Sequence, residues 1–90
     1  MAKIVFPSQM SKLTYGKSQV ELNADSLGRA FDQLVQLFPG LSEVLIDVHG
    51  NVAPFIKVFV RDNQVSPGEF SDLKLQDDDI VTIIAAVAGG

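Results

Sequence analysis

At 90 residues, the chain has room for a single core. Hydrophobic residues make up 47% and charged residues 20%, with 7 Lys+Arg against 11 Asp+Glu for a formal net charge of −4. That composition excludes a disordered chain and argues against a nucleic-acid binder, which needs a basic stripe to displace counterions from phosphate. There is no cysteine, so a disulfide scaffold, a thiolate metal site and a cysteine nucleophile all fall away. The single histidine, His49, excludes a cluster of imidazole ligands. The longest apolar run, from Ile80 to Ala88, is well short of the roughly 20 residues a spanning helix needs. Pro7 stops the N-terminal block Ile4-Val5-Phe6 below signal-peptide length, and the expectation is a soluble cytoplasmic protein with no membrane partner.

Along the chain, Lys3 to Pro7 is β-branched and aromatic and reads as a first strand ended by proline. Residues 8–16 form a polar loop closed by Gly16, and Lys17 to Leu22 alternates as a half-buried second strand. Leu27, Ala30, Phe31, Leu34, Val35 and Phe38 then recur at helical spacing. Asp25 or Ser26 caps that helix, and Pro39-Gly40 stops it. Leu41, Val44 and Leu45 have the spacing of one further short helical turn. Phe55 to Arg61 reads as a strand with Ile56, Val58 and Val60 on one face and Phe55, Lys57, Phe59 and Arg61 on the other. Asp62-Asn63 is the expected hairpin turn, with Val65 opening a return strand. Leu73 and Leu75 plug a surface segment into the core, and Asp77-Asp78-Asp79 turns into a last strand, Ile80 to Ile84. The order β-β-α-β-β-β describes an α+β domain with one two-layer core.

Few residues in this chain have the pattern of catalytic chemistry. His49 sits in a polar loop with no nucleophile beside it and reads as solvated. Asp77, Asp78 and Asp79 splay in different directions and lack calcium-loop spacing, so they read as a solvated turn. With Glu69 and Asp72 they outnumber Lys74, giving an acidic patch near the tail that speeds encounter with a basic partner. The glycines match neither the dinucleotide nor the P-loop spacing. What stands out is the end. Gly89-Gly90 carries no side chain, so an extended Gly-Gly enters a channel too narrow for any other pair. Its carboxylate is inert until phosphorylated or adenylated, after which a nucleophile can take it. The competing reading is a frayed terminus, but Ala85-Ala86-Val87-Ala88 leads there from a buried strand with no polar spacer. Phe55, Lys57, Phe59 and Arg61 form the second candidate, either a satellite cluster under a loop or a partner-docking face.

The stretch Asp77-Asp78-Asp79-Ile80-Val81-Thr82-Ile83-Ile84-Ala85-Ala86-Val87-Ala88-Gly89-Gly90 resembles the end of the MoaD/ThiS family of sulfur carriers. Those proteins typically close with Asp-Gly-Asp, Val-Thr-Ile-Leu and Pro-Ala-Val-Ala-Gly-Gly. Phe38-Pro39-Gly40-Leu41 and Phe55-Ile56-Lys57-Val58-Phe59-Val60 add to the likeness, and the loop Pro7…Leu13…Gly16 is similar to that of CysO-type carriers. Asp78 stands in place of the usual glycine, where aspartate tolerates left-handed backbone. Ala85 stands in place of the usual proline, which loosens the tail's exit.

The resemblance implies a β-grasp, ubiquitin-like fold, with one mixed sheet of four to five strands on one main helix. It implies a body over residues 1–84 and a flexible tail over 85–90. In that family an E1-like enzyme uses ATP and magnesium to adenylate the terminal glycine, here Gly90 after Gly89. Sulfide, delivered through a persulfide or related donor, then displaces AMP to leave a thiocarboxylate. The chain itself is then no enzyme and binds no cofactor. Ala85, Ala86, Val87 and Ala88 thread the partner's active site, and Phe55, Lys57, Phe59 and Arg61 dock on it. The implied partners are that adenylating and sulfurylating enzyme and a sulfur-accepting biosynthetic enzyme. Alternatives are a molybdopterin synthase small subunit, a ubiquitin-like modifier, or a plain interaction module using the Phe55/Phe59 face.

Overall fold

In a computed structural model of the chain, which describes residues 1–47, 49 and 52–85, one sheet packs on one long helix. Its strands are β1 (Ala2–Val5), β2 (Gln19–Leu22), β3 (Ile56–Val60), β4 (Asn63–Gln64) and β5 (Ile80–Ala85), and its helices are α1 (Leu27–Leu37) and the single turn α2 (Ser42–Leu45). The strand order is β2-β1-β5-β3-β4. β1 and β5 are parallel and every other pairing is antiparallel. This is the mixed sheet over one main helix that the resemblance implied. Parallel neighbours need a long crossover, and everything from β2 to β4 supplies it. β5, last in sequence, therefore lies in the middle of the sheet.

The periodicities in the sequence account for the layers. Leu27, Ala30, Phe31 and Leu34 on α1 are buried against Ile4, Leu22, Val58, Val60, Val81 and Ile83 from the sheet. Phe38 also belongs to this core, while Val35, on the margin of the apolar stripe, is half-buried. Ser26 caps α1, its Oγ accepting from Arg29 N at 3.3 Å. Asp25 lies beside Arg29 instead, at 3.5 Å across one helical turn. Pro39 ends the helix as expected, because a residue before proline is driven out of the α region, and Phe38 has ψ 82°. The further turn expected around Leu41 is present as a 3₁₀ turn over Pro39–Leu41 running into α2, with Leu41 and Leu45 buried.

Several boundaries differ from the sequence reading, and β2 begins at Gln19 instead of Lys17. β1 stops at Val5 and β3 spans only Ile56–Val60, so Phe55 and Arg61 flank that strand rather than lie in it. The hairpin loop is Arg61-Asp62, one residue earlier than expected, because Val60 pairs with Asn63. Both loop residues are left-handed, at φ 52° and 65°, the backbone a two-residue turn needs to match strand twist. Asp62 adopts this conformation readily and Arg61 less so. Moving the turn one place along would shift the pairing by two and set Val60 opposite Val65 instead of Asn63, leaving the buried face of β3, fixed by its pairing with β5, unchanged.

Candidate functional site

β5 is the element that carries the chain toward its C-terminal residues. Its β-branched run suits a strand covered on one face, with Val81 and Ile83 buried and Ile80, Thr82 and Ile84 turned outward. Ala85, expected to open the tail, is instead the last residue of β5, opposite Ile56 and half-buried. A proline has no N–H and disfavours a central strand. Alanine imposes no such limit, so the sheet runs one residue further. The other tail residues singled out in the sequence, Ala86, Val87, Ala88, Gly89 and Gly90, lie outside the described residues.

Beside β5, the sheet face turned away from α1 gathers the second candidate set and enlarges it. Lys57 pairs with Ile84 and Phe59 with Thr82 across β3 and β5, while Lys3 pairs with Ile80 and Val5 with Thr82 across β1 and β5. Paired residues project to the same face. Ile80 is 50% exposed, Ile84 43% and, at the mouth of β3, Phe55 40%. The result is an apolar strip along β5 flanked by Lys3 and Lys57. Ile80 and Ile84 are the members the sequence reading missed. Their signal was the run Ile80–Ile84, apolar but for Thr82 and too greasy for a strand with one wet face.

Arg61 has a different place. Its guanidinium is paired with Asp79, which is 93% buried by residue. The same carboxylate oxygen accepts from Gln76 N at 2.7 Å. Asp79 is therefore not part of a solvated acidic turn but the internal brace of the corner before β5. Asp78, at φ 72°, takes a left-handed backbone position, which glycine would adopt without strain. The acidic patch is also displaced from its expected position near the tail. Asp77, Asp78 and Asp79 precede β5, and Asp72 lies in the segment that meets the start of α1 through Leu27 N to Leu73 O and Leu75 N to Asp25 O. β5 separates them from Ala85 by about 20 Å, six residues at the rise of a strand. Neighbours in sequence are far apart in space when the chain between them is extended.

Among the described residues no group of three or more His, Asp or Glu side chains is placed to hold a metal ion, and no helix is long and apolar enough to cross a membrane. His49 is exposed, its backbone N–H donating to Asp47 Oδ1 at 2.8 Å. The described body thus offers an apolar outer face flanked by Lys3 and Lys57, and a strand along it that leads toward the C-terminal residues.

The sequence profile of the ThiS family matches residues 4–90, and the chain belongs to that family. It is 32% identical over 89 residues to the sulfur carrier protein CysO of Mycobacterium tuberculosis, covering 97% of this chain and 96% of that one. Among solved structures it superposes on the Amycolatopsis orientalis BexX/CysO complex with a TM-score of 0.86 at 27% identity, covering 100% of both chains. M. tuberculosis CysO gives a TM-score of 0.86 at 28% identity, covering 97% of this chain and 100% of that one. The archaeal modifier SAMP1 of Methanosarcina acetivorans, with a TM-score of 0.84 over 99% and 95% of the two chains but only 18% identity, shares the ubiquitin-like fold.

Proposed function

We propose that this chain is a sulfur carrier whose working group is the Gly90 carboxylate, charged as a thiocarboxylate by an E1-like enzyme. In the first step a carboxylate oxygen attacks the α-phosphorus of ATP, giving the acyl adenylate and releasing pyrophosphate. In the second, hydrosulfide attacks the acyl carbon, AMP leaves with the C–O bond, and one proton is lost. ATP and magnesium belong to the activating partner. The thiocarboxylate then gives its sulfur to a biosynthetic acceptor and returns as carboxylate. Nothing in this cycle requires a catalytic side chain from the carrier. Residues 86–90 thread the partner's active site, and the face around Phe59, Lys57, Ile84 and Phe55 docks beside it. The setting is the cytoplasm, where ATP and the biosynthetic acceptor are found.

The observation that carries the reading is the family match, which runs through to Gly90 itself, with the CysO relative covering nearly the whole chain. The test is intact-mass spectrometry after incubation with the cognate activating enzyme, ATP, magnesium and sulfide. The expected product carries sulfur in place of one terminal oxygen. Deleting Gly89-Gly90 is expected to abolish the product and leave the melting temperature unchanged, since among the described residues the buried core runs from Ala2 to Ile83. No mass change with the full chain would overturn the proposal.

A further inference from the structure

The two ends of the sheet carry opposite charge, and the end from which the tail departs is the basic one. Because β1 and β5 are parallel, with Val5 beside Thr82, the loop after β1 lies at the same end as Ala85. Phe6 N donates to Ser18 O across the base of that loop. β3 begins at this end too, Ile56 facing Ala85, and α1 finishes here, with Phe38 packed on Phe6 and Tyr15 at 5.7 and 5.6 Å. The segments that meet at this end are residues 6–18, 37–45, 53–58 and 82–85, with Ala53 N donating to Leu45 O at 2.8 Å. Their charged side chains are Lys12, Lys17 and Lys57 against one carboxylate, Glu43.

All three lysines are exposed. The ion pairs among the described residues join Met1 to Asp77, Arg29 to Asp25 and Arg61 to Asp79, and none involves these lysines. Glu21, Asp25, Asp62, Asp72, Asp77, Asp78 and Asp79 gather at the other end, where Lys3, Arg29, Arg61, Lys74 and the N-terminus offset them only in part. A chain of net charge −4 thus keeps an unpaired cationic rim where its tail leaves.

We infer that this rim, led by Lys12 and Lys17, seats on an acidic collar around the mouth of the channel that receives the tail on the activating enzyme. The inference rests on the proposed carrier role and adds the charge that recognises the partner. A nucleotide phosphate is the other anion such a rim could meet, and tail length argues against it. Five threaded residues put Gly90 up to about 17 Å from Ala85, beyond the reach of a lysine held on the body. The lysines therefore address the protein surface at the channel mouth rather than the nucleotide at its floor. Charge arranged this way acts mainly on encounter, raising association rates at low salt. It also orients the carrier tail-first, because its acidic end is repelled by the same collar.

The test uses the full-length Lys12→Glu/Lys17→Glu variant, whose two sites lie outside the sheet face assigned to docking, with Lys74→Glu as a control at the acidic end. Pyrophosphate release by the activating enzyme is measured against carrier concentration at low and at high salt, after circular dichroism has shown an unchanged melting temperature. The double variant is expected to lose about tenfold or more in kcat/KM at low salt, with kcat retained, and to recover most of the loss near 0.5 M salt, where screening extends only about 4 Å. The control is expected to stay within twofold of the unaltered chain. A loss below about threefold at low salt, a loss that persists undiminished at high salt, or an equal loss in the control would overturn the inference. Absence of pyrophosphate release from the unaltered chain is a different result, and it overturns the carrier role instead.

Discussion

Asp79→Ala separates two interactions that meet on one oxygen. Oδ2 of Asp79 accepts from Gln76 N at 2.7 Å and from the Arg61 guanidinium. The carboxylate is 8% exposed, whereas the Arg61 side chain is 46% exposed. A hydrogen bond from a backbone amide to an ionised carboxylate contributes about 1.5–3 kcal/mol. An ion pair with one half-exposed partner is screened, and about 0.2–1 kcal/mol is the expected range. Asp79→Ala is therefore expected to cost about 2–3 kcal/mol, roughly 10 °C or more in melting temperature for a domain of this size, and Arg61→Ala less than about 1 kcal/mol. The corner also positions β5, since Lys3 N donates to Asp79 O at 2.9 Å, so Asp79→Asn should fall between the two by keeping one acceptor. Equilibrium urea unfolding of the three variants, at low salt and near 0.5 M, measures the differences. If Arg61→Ala cost as much as Asp79→Ala, or if the loss in Asp79→Ala vanished at high salt, the backbone amide would not be the dominant donor and the reasoning would fail.

Gly28→Ala should destabilise the domain by about 1 kcal/mol or more, although alanine is the better helix former, because a Cβ there would stand 2.9 Å from the backbone oxygen of Ser71. A rise in melting temperature would contradict this. Asp78→Gly should stabilise by about 0.5 kcal/mol, since it relieves a non-glycine residue at φ 72°, and urea unfolding reads the gain. Ile84→Asp, at a side chain 43% exposed on the outer face, should leave stability within about 1 kcal/mol while slowing thiocarboxylate formation at least tenfold. Unimpaired charging of that variant would remove the face from the docking surface.

The sequence displayed the helix and the core most clearly, because both follow from local periodicity. The stripe from Leu27 to Phe38 fixes which side of α1 is buried, and Ile56, Val58 and Val60 fix the inner face of β3. Features set by pairing were less visible. The one-residue displacement of the hairpin loop is decided by what Val60 meets across the turn. The extension of β5 to Ala85 depends on β3 offering Ile56 as a neighbour. The brace at Asp79 needs Arg61, eighteen positions away, and no motif announces it. The outer face of the sheet was half legible, with Phe55, Lys57 and Phe59 named from alternation. Ile80 and Ile84 stayed hidden in a run that reads as buried on both sides. Charge was the least legible feature, since carboxylates just before β5 are close to the tail in sequence and at the far end of the sheet in space.

The central position of the last strand also sets an order of events. With β5 between β1 and β3, the residues up to Gln64 can form α1 and two separate hairpin-like pairs, yet no common core can close until Val81 and Ile83 slot between them. During synthesis that segment emerges after all the others, so the body cannot assemble while β5 is still held by the ribosome. A long-range closure of this kind is slow and cooperative. Folding thereby becomes a single late event, and the outer face that β5 completes with β1 and β3 exists only on a body that is already whole.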